Sequence, residues 1–211
     1  SSIIQESSAF VFNIQWEGKD NWPTVKMNEP IWLEPEDIAI PDNLCTHPDT
    51  KCVLDAIRIL RKELGDDVAI IGKTMGPWSM GYHCMGVERF LLMSLDDPDK
   101  TRRCLDKFKE STILFGQAQI DAGADALTLP DHATGDLVSG EYYERYLRDM
   151  HIEFTEKLKI PLILHICGKT EDRMEYISQT GMAAFHYDSK NNPCNSMDIC
   201  NHRISLVGNS N

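Results

Sequence analysis

Pro161-Leu162-Ile163-Leu164-His165-Ile166 is a short apolar run between two stretches of helical spacing. Residues 140–157 before it and 171–179 after it read as helices, the second ending at Gly181. The run itself reads as a buried strand. The same rhythm repeats outward. Ala124-Asp125-Ala126-Leu127-Thr128-Leu129 follows a long helix over about residues 100–121, which Asp97-Pro98 opens as N-cap and first helical position and Gly123 closes. Ala183-Ala184-Phe185-His186-Tyr187 precedes a short helix near Met197, and Ile204-Ser205-Leu206-Val207-Gly208 comes next. Toward the N-terminus, Val53 to Leu64 is helical and stops at Gly65. Val68-Ala69-Ile70-Ile71-Gly72 suits a buried parallel strand, Gly76-Pro77-Trp78 breaks the chain, and residues 87–95 are helical. This alternation predicts an α/β fold with a parallel sheet, best arranged as a TIM (β/α)8-type barrel, with an open doubly wound sheet second. Neither a Gly-x-Gly-x-x-Gly nor a Walker loop follows any strand, which weakens a nucleotide-binding sheet. Five strands against the eight of a complete barrel predict an incomplete portion of one. The first 45 residues set Trp16, Trp22 and Trp32 among turn residues. The expected organisation is an irregular segment over 1–50 packed on the barrel, and central βα units over 51–211, truncated at both ends.

The chain has 211 residues and a formal net charge of −12. Its length suffices to bury a core without staples. The acidic balance argues against nucleic-acid binding. No apolar run is long enough for a membrane span, and the N-terminus lacks the pattern of a secretory signal. Seven cysteines at irregular spacings, without a Cys-x-x-Cys pair, indicate a reduced, cytoplasmic protein in which most of them are plain buried side chains.

Chemistry in a parallel barrel sits at the C-terminal strand ends. Four consecutive strands here end in polar groups: Asp131-His132, His165-Ile166-Cys167-Gly168, Asp188-Ser189-Lys190 and Asn209-Ser210-Asn211. His165 and Cys167 are two apart on a strand, so they project together. Imidazole plus thiolate is a donor set suited to zinc, and Gly168 lets the backbone turn close to it. A buried His beside a packed Cys is the plain alternative. Zinc wants a further protein ligand, and Asp188 at the next strand end is the best placed; Cys194 and Cys200 are weaker. Asp131 and His132 read either as a turn-capping pair or as pocket residues. Strand alternation places His186 on the opposite side from the ligands. His83 and Cys84 read as structural ahead of pocket-lining, and Lys73 to Trp78 as a strand-end loop that could border a ligand.

Leu164-His165-Ile166-Cys167-Gly168 followed by Gly181 to Lys190 resembles the zinc-dependent branch of the uroporphyrinogen decarboxylase superfamily, which contains the methylcobamide:coenzyme M methyltransferases. Residues 71–77, 122–125, 131–136 and 204–209 add to the resemblance, which runs from about residue 10 to the C-terminus. It implies a TIM barrel and methyl transfer from a methylated corrinoid, carried by a corrinoid protein, to a zinc-activated thiol such as coenzyme M. It implies His165 and Cys167 as zinc ligands and catalytic residues, Asp188 as a supporting or exchangeable ligand, and Asp131, His132 and Asn209 as substrate-binding residues. The second cysteine of the family pattern has no counterpart here and is expected beyond Asn211. Neither nucleic acid nor membrane is an expected partner. The alternatives are a uroporphyrinogen decarboxylase-like decarboxylase and a non-catalytic module that docks a corrinoid protein.

Overall fold

The computed structural model describes residues 5–10, 14–15, 24–26 and 31–208. Its centre is a parallel sheet in the order β3 (Ile71–Lys73), β4 (Ala126–Pro130), β5 (Leu162–Ile166), β6 (Ala184–Tyr187) and β7 (Ser205–Gly208). Each strand pairs with the next in sequence, as consecutive staves of a (β/α) barrel do. Earlier in the chain, β1 (Ile14–Gln15) and β2 (Thr24–Val25) form a short antiparallel ladder. Helices α1 (Gln5–Ala9), α2 (Pro48–Leu64), α3 (Pro77–Met85), α4 (Val87–Asp96) and α5 (Pro98–Ala122) precede β4. After it come α6 (Gly140–Tyr143), which runs through a π-helical turn into α7 (Asp149–Lys157), then α8 (Met174–Ser178) and α9 (Pro193–Cys200).

The register gives the sheet two chemically different faces. Leu129, Leu164 and Phe185 are mutually paired and buried, as are Leu127 and Leu162, and this face meets the helices. Helix α5 answers it with a stripe at Leu105, Phe108, Thr112, Phe115 and Gln119, the three-to-four spacing of one helical face. The Gln119 side chain accepts from Lys73 N–H (2.9 Å) and donates to Lys73 C=O (2.8 Å), completing the hydrogen bonding of a short strand. On the other face lie Ile71, Thr128, Ile163, His165, His186 and Val207, half-buried or exposed.

Three sequence expectations shift here. The first strand is three residues long at Ile71–Lys73 and is not continuously buried: Ile70 is 7% exposed and Ile71 57%, because successive side chains point to opposite faces. Gly76-Pro77-Trp78 does not break the chain but starts a helix. Proline at its first position needs no intrahelical partner, and all nine residues of α3 are buried. His83 and Cys84 therefore sit inside a buried helix. Of the seven cysteines, Cys84, Cys104 and Cys200 are buried, Cys45 is half-buried, and Cys52, Cys167 and Cys194 are exposed, so burial is not the rule. Trp16 and Trp22 lie outside the described residues. No helix among the described residues is long and apolar enough to cross a membrane.

The short helix α1 docks over the end of β3 through polar groups. Buried Glu6 accepts from Lys73 Nζ and from Met75 N–H, both at 2.8 Å, and Ser7 Oγ meets His83 Nδ1 at 2.8 Å. Burial, aided by His132 and Lys73, pushes the His83 pKa down to about 4. A histidine whose folded pKa is depressed takes up a proton on unfolding. Its contribution is therefore complete above pH ~6.5 and is lost as the pH falls toward about 4. Urea unfolding across that window should show stability falling by up to roughly 3 kcal/mol from this group. His83→Gln, which keeps a polar partner for Ser7, should flatten that slope.

Candidate functional site

The polar strand ends converge at the C-terminal edge of the sheet. His165, near the end of β5, is paired with Pro130 of β4 on one side and His186 of β6 on the other. Cys167 is two residues on, and its Sγ lies 3.1 Å from His165 Nε2. On the other side of the ring, His165 Nδ1 lies 3.2 Å from the main-chain carbonyl of His186. A carbonyl only accepts, so Nδ1 carries the hydrogen and Nε2 keeps its lone pair toward the sulfur.

Burial lowers the His165 pKa, and the neighbouring His186 lowers it further. Burial raises the Cys167 pKa, and the Asp188 carboxylate adds to the rise. Near neutral pH the pair is a neutral imidazole beside a neutral thiol. This differs from the imidazolium–thiolate pair of a pre-activated cysteine nucleophile. It suits two donors that a cation would recruit, the thiol giving up its proton on binding. A tetrahedral zinc separates a coordinating nitrogen and sulfur by about 3.5 Å, near the spacing here. The donor chemistry and spacing of His165 and Cys167 therefore fit zinc. Among the described residues no group of three His, Cys, Asp or Glu side chains is clustered to hold a metal.

Asp188 closes the turn around this pair. Its Oδ2 accepts from Gly168 N–H and its Oδ1 from Lys190 N–H, both at 3.0 Å. Those two amides, Gly168 first, hold its carboxyl below the ordinary range. Asp188 thus ties the loop after β5 to the loop after β6 and imposes its charge on Cys167. Gly168 has φ +81°, a conformation that glycine adopts freely. A Cβ there would lie 2.7 Å from Asp136 Oδ2 and closer still to Thr134 Oγ1. The loop after β4 packs against bare backbone at this point. Lys190 Nζ meets Asp136 Oδ2 at 2.8 Å and bridges that loop to the one after β6.

Asp131 and His132 separate in role. Asp131 is fully buried beneath the strand ends, where its Oδ1 accepts from Ser79 N–H (2.8 Å) in the first turn of α3. Its Oδ2 faces His151 Nε2 at 3.4 Å, and His151 Nδ1 meets Tyr143 OH at 2.8 Å. Gly76 lies so close that any Cβ would strike the Asp131 side chain. The carboxylate bolts α3 and α7 to the end of β4. His132 donates its N–H to Ser79 Oγ (2.8 Å) and is half-buried, with its pKa lowered mainly by burial. Asn209 lies outside the described residues.

His186 lies on the same face as His165, not the opposite one: their ring centroids are 4.5 Å apart. The signal was present in the spacing. His186 and Asp188 are two apart, so whatever turns one toward the site turns the other. Arg173 carried no such signal. It is fully buried and donates to the carbonyls of Ala133 and Val138, holding the β4 loop in place.

A parallel α/β sheet with a His–Cys pair at its C-terminal edge describes a class, and the comparisons with known proteins narrow it. The uroporphyrinogen decarboxylase (URO-D) family matches residues 1–211. The chain belongs to that family. A methylated-thiol–coenzyme M methyltransferase of Methanosarcina mazei is 30% identical over 188 residues, 89% of this chain and 50% of the relative. A methylcobamide:CoM methyltransferase of Methanosarcina barkeri is 29% identical over 81% of this chain and 51% of its own length. A uroporphyrinogen decarboxylase of Actinobacillus pleuropneumoniae is 30% identical over 82% of this chain and 51% of its own length. The solved structure of a methyltransferase from Methanosarcina mazei superposes with a TM-score of 0.90 at 26% identity, covering 98% of this chain and 61% of that one. The chain thus spans about half the length of the curated relatives it matches.

Gly168→Ala should force the loop after β4 away from Cys167. We expect a loss of about 1–3 kcal/mol in stability from backbone strain and the close contact, measured by denaturant unfolding. Cys167 should also react faster with a thiol probe, since the loops that shelter it separate.

Proposed function

We propose that the chain carries part of the active site of a methyltransferase that moves a methyl group from a methylated corrinoid, held by a corrinoid protein, to a thiol such as coenzyme M. The observation that carries this reading is the 3.1 Å approach of His165 Nε2 to Cys167 Sγ at a barrel strand end, with the His165 tautomer set by a main-chain carbonyl. Bound there, zinc would supply Lewis acidity that lowers the pKa of a coordinated substrate thiol. The chain's own residues do the rest. His165 offers its lone pair, Cys167 offers sulfur after losing its proton to solvent, and Asp188 holds the Gly168 turn and is the candidate for an exchangeable third ligand. His132 would border the substrate. Asp131 would act from below by fixing α3, and Asn209 is proposed from sequence alone. In the transfer the acceptor sulfur gains the methyl group, the corrinoid keeps the electron pair of the broken bond, and the thiol proton leaves to solvent.

An acidic thiol fits the rim beside this pair. Lys169 and Lys190 line a cavity of about 390 Å³ next to Gly168. The carboxylates that share it are engaged elsewhere: Glu171 with Asn192 N–H, and Asp172 with Arg173 and Gly140 N–H. Lys190 is held by Asp136, so the Lys169 ammonium is the group placed to meet a sulfonate or carboxylate tail. A reduced, cytoplasmic setting suits the exposed thiols Cys52, Cys167 and Cys194. Decarboxylation of a porphyrinogen is the second reading, favoured by the 30% identity to a uroporphyrinogen decarboxylase; it leaves the His165–Cys167 pair without a task.

Zinc analysis of the purified protein, with and without Cys167→Ser, tests the first reading alongside demethylation of a methylated corrinoid in the presence of coenzyme M. We expect stoichiometric zinc in the parent and loss of at least about tenfold in metal affinity and transfer rate in the variant. Zinc-free parent protein that decarboxylates uroporphyrinogen, with Cys167→Ser unaffected, would establish the second reading instead.

A further inference from the structure

His165 needs more than one contact to stay aimed. The ring pivots about its bond to the main chain, and its Nδ1–carbonyl distance of 3.2 Å is at the long end for an N–H···O bond. A contact that loose holds a half-buried imidazole weakly. The missing restraint is the neighbouring imidazole. In the β5–β6 register His165 faces His186, and the two rings lie with centroids 4.5 Å apart and planes inclined by 31°. The His165 ring therefore has the His186 ring as a close neighbour. His186 is itself backed by β7. Gly208 has φ +97°, and a Cβ there would come within 2.7 Å of His186 Cδ2 and 3.0 Å of Nε2. Bare backbone at Gly208 thus lets the next strand close against the outer edge of His186. The three strands form a stack: β7 backbone, His186 ring, His165 ring.

We propose that His186 is the positioning residue of the metal pair. Its ring, pressed from behind by the Gly208 backbone, keeps the His165 imidazole from turning, so that Nδ1 stays on the His186 carbonyl and Nε2 stays on Cys167. This inference rests on the reading of His165 and Cys167 as metal ligands. The role assigned to His186 is packing against His165, its ring lying with its centroid 4.5 Å from that of His165, and not ligation. No third donor clusters with the pair among the described residues. The fold holds His165 from both sides, by the carbonyl at Nδ1 and by the ring against its face. A side chain of the same flat shape without nitrogen should serve equally well.

The test compares His186→Ala with His186→Phe, using Cys167→Ser as the ligand-loss control, and reads cobalt(II) binding by titration and absorption spectroscopy. His186→Ala should weaken cobalt binding about 10- to 100-fold, the usual effect of losing a group that orients a ligand. His186→Phe should bind within about threefold of the parent and keep both the sulfur-to-cobalt charge-transfer band and the d–d bands. A His186→Phe variant as weak as His186→Ala, or one whose d–d bands shift as for a lost nitrogen donor, would overturn the proposal in favour of direct ligation. Parent-like binding by His186→Ala would overturn it outright. Failure of the underlying metal reading looks different: the parent itself binds no cobalt, or Cys167→Ser binds as the parent does. The metal-free protein separates the two. Nitrogen-15 NMR of His165 should show a single Nδ1–H tautomer in the parent and in His186→Phe, and a mixture in His186→Ala. A single tautomer in all three would sink the positioning role whatever the metal does.

Discussion

The parallel register between β5 and β6 is the constraint on which the site depends. Leu164 pairs with Phe185 and His165 with His186, so one face of both strands is apolar and the other carries imidazoles. A slip of one residue would turn His165 and Cys167 into the helix layer and set Leu164 and Ile166 at the open face. Burial of Leu129, Leu164, Ile166 and Phe185 against the helices opposes that slip, at about 2 kcal/mol for each large side chain kept from water. Hydrophobic burial on one side of the sheet thereby holds a polar constellation on the other.

Around the strand ends the polar groups divide into those that hold and those left to act. Asp131, His151, Arg173 and Glu6 are buried and their polar atoms are taken up by helix amides, loop carbonyls and one another. Asp188 is half-buried and employs its oxygens on two backbone amides. His165 and Cys167 are the pair whose reactive atoms face each other across a gap of metal-ligand size. Partial desolvation lowers the His165 pKa and, together with the Asp188 charge, raises that of Cys167, so both are neutral near pH 7. Binding a divalent metal and losing the thiol proton would then occur together.

Much of the fold was legible in the chain because its punctuation is local. Gly65, Gly123 and Asp97-Pro98 end or begin helices where their own backbone preferences dictate, and α2, α5 and the later strands follow. Helix α3 was not legible, because Gly-Pro-Trp carries the same local preference in a turn as in a first helical turn. What decides between them is Asp131, 52 residues later, capping Ser79 N–H. The short β3 was displaced for a related reason: apolar Val68 and Ile71 resemble core, yet 51% and 57% of their surface stays open.

The sequence by itself determined the strand–helix alternation, the polar strand ends, and the common direction of His165 and Cys167, because spacing of two along a strand is a matter of backbone geometry. It also determined the family, whose motifs lie within short stretches. Only the tertiary structure decided which polar residue is sealed beneath the strand ends and which stays at the open edge. Asp131 and Asp188 are both carboxylates at strand ends, yet one is sealed under α3 and the other turned to loop amides. Tertiary structure alone also set His186 against His165, since the pairing of two strands separated by a helix depends on register across the sheet and not on the residues beside either histidine.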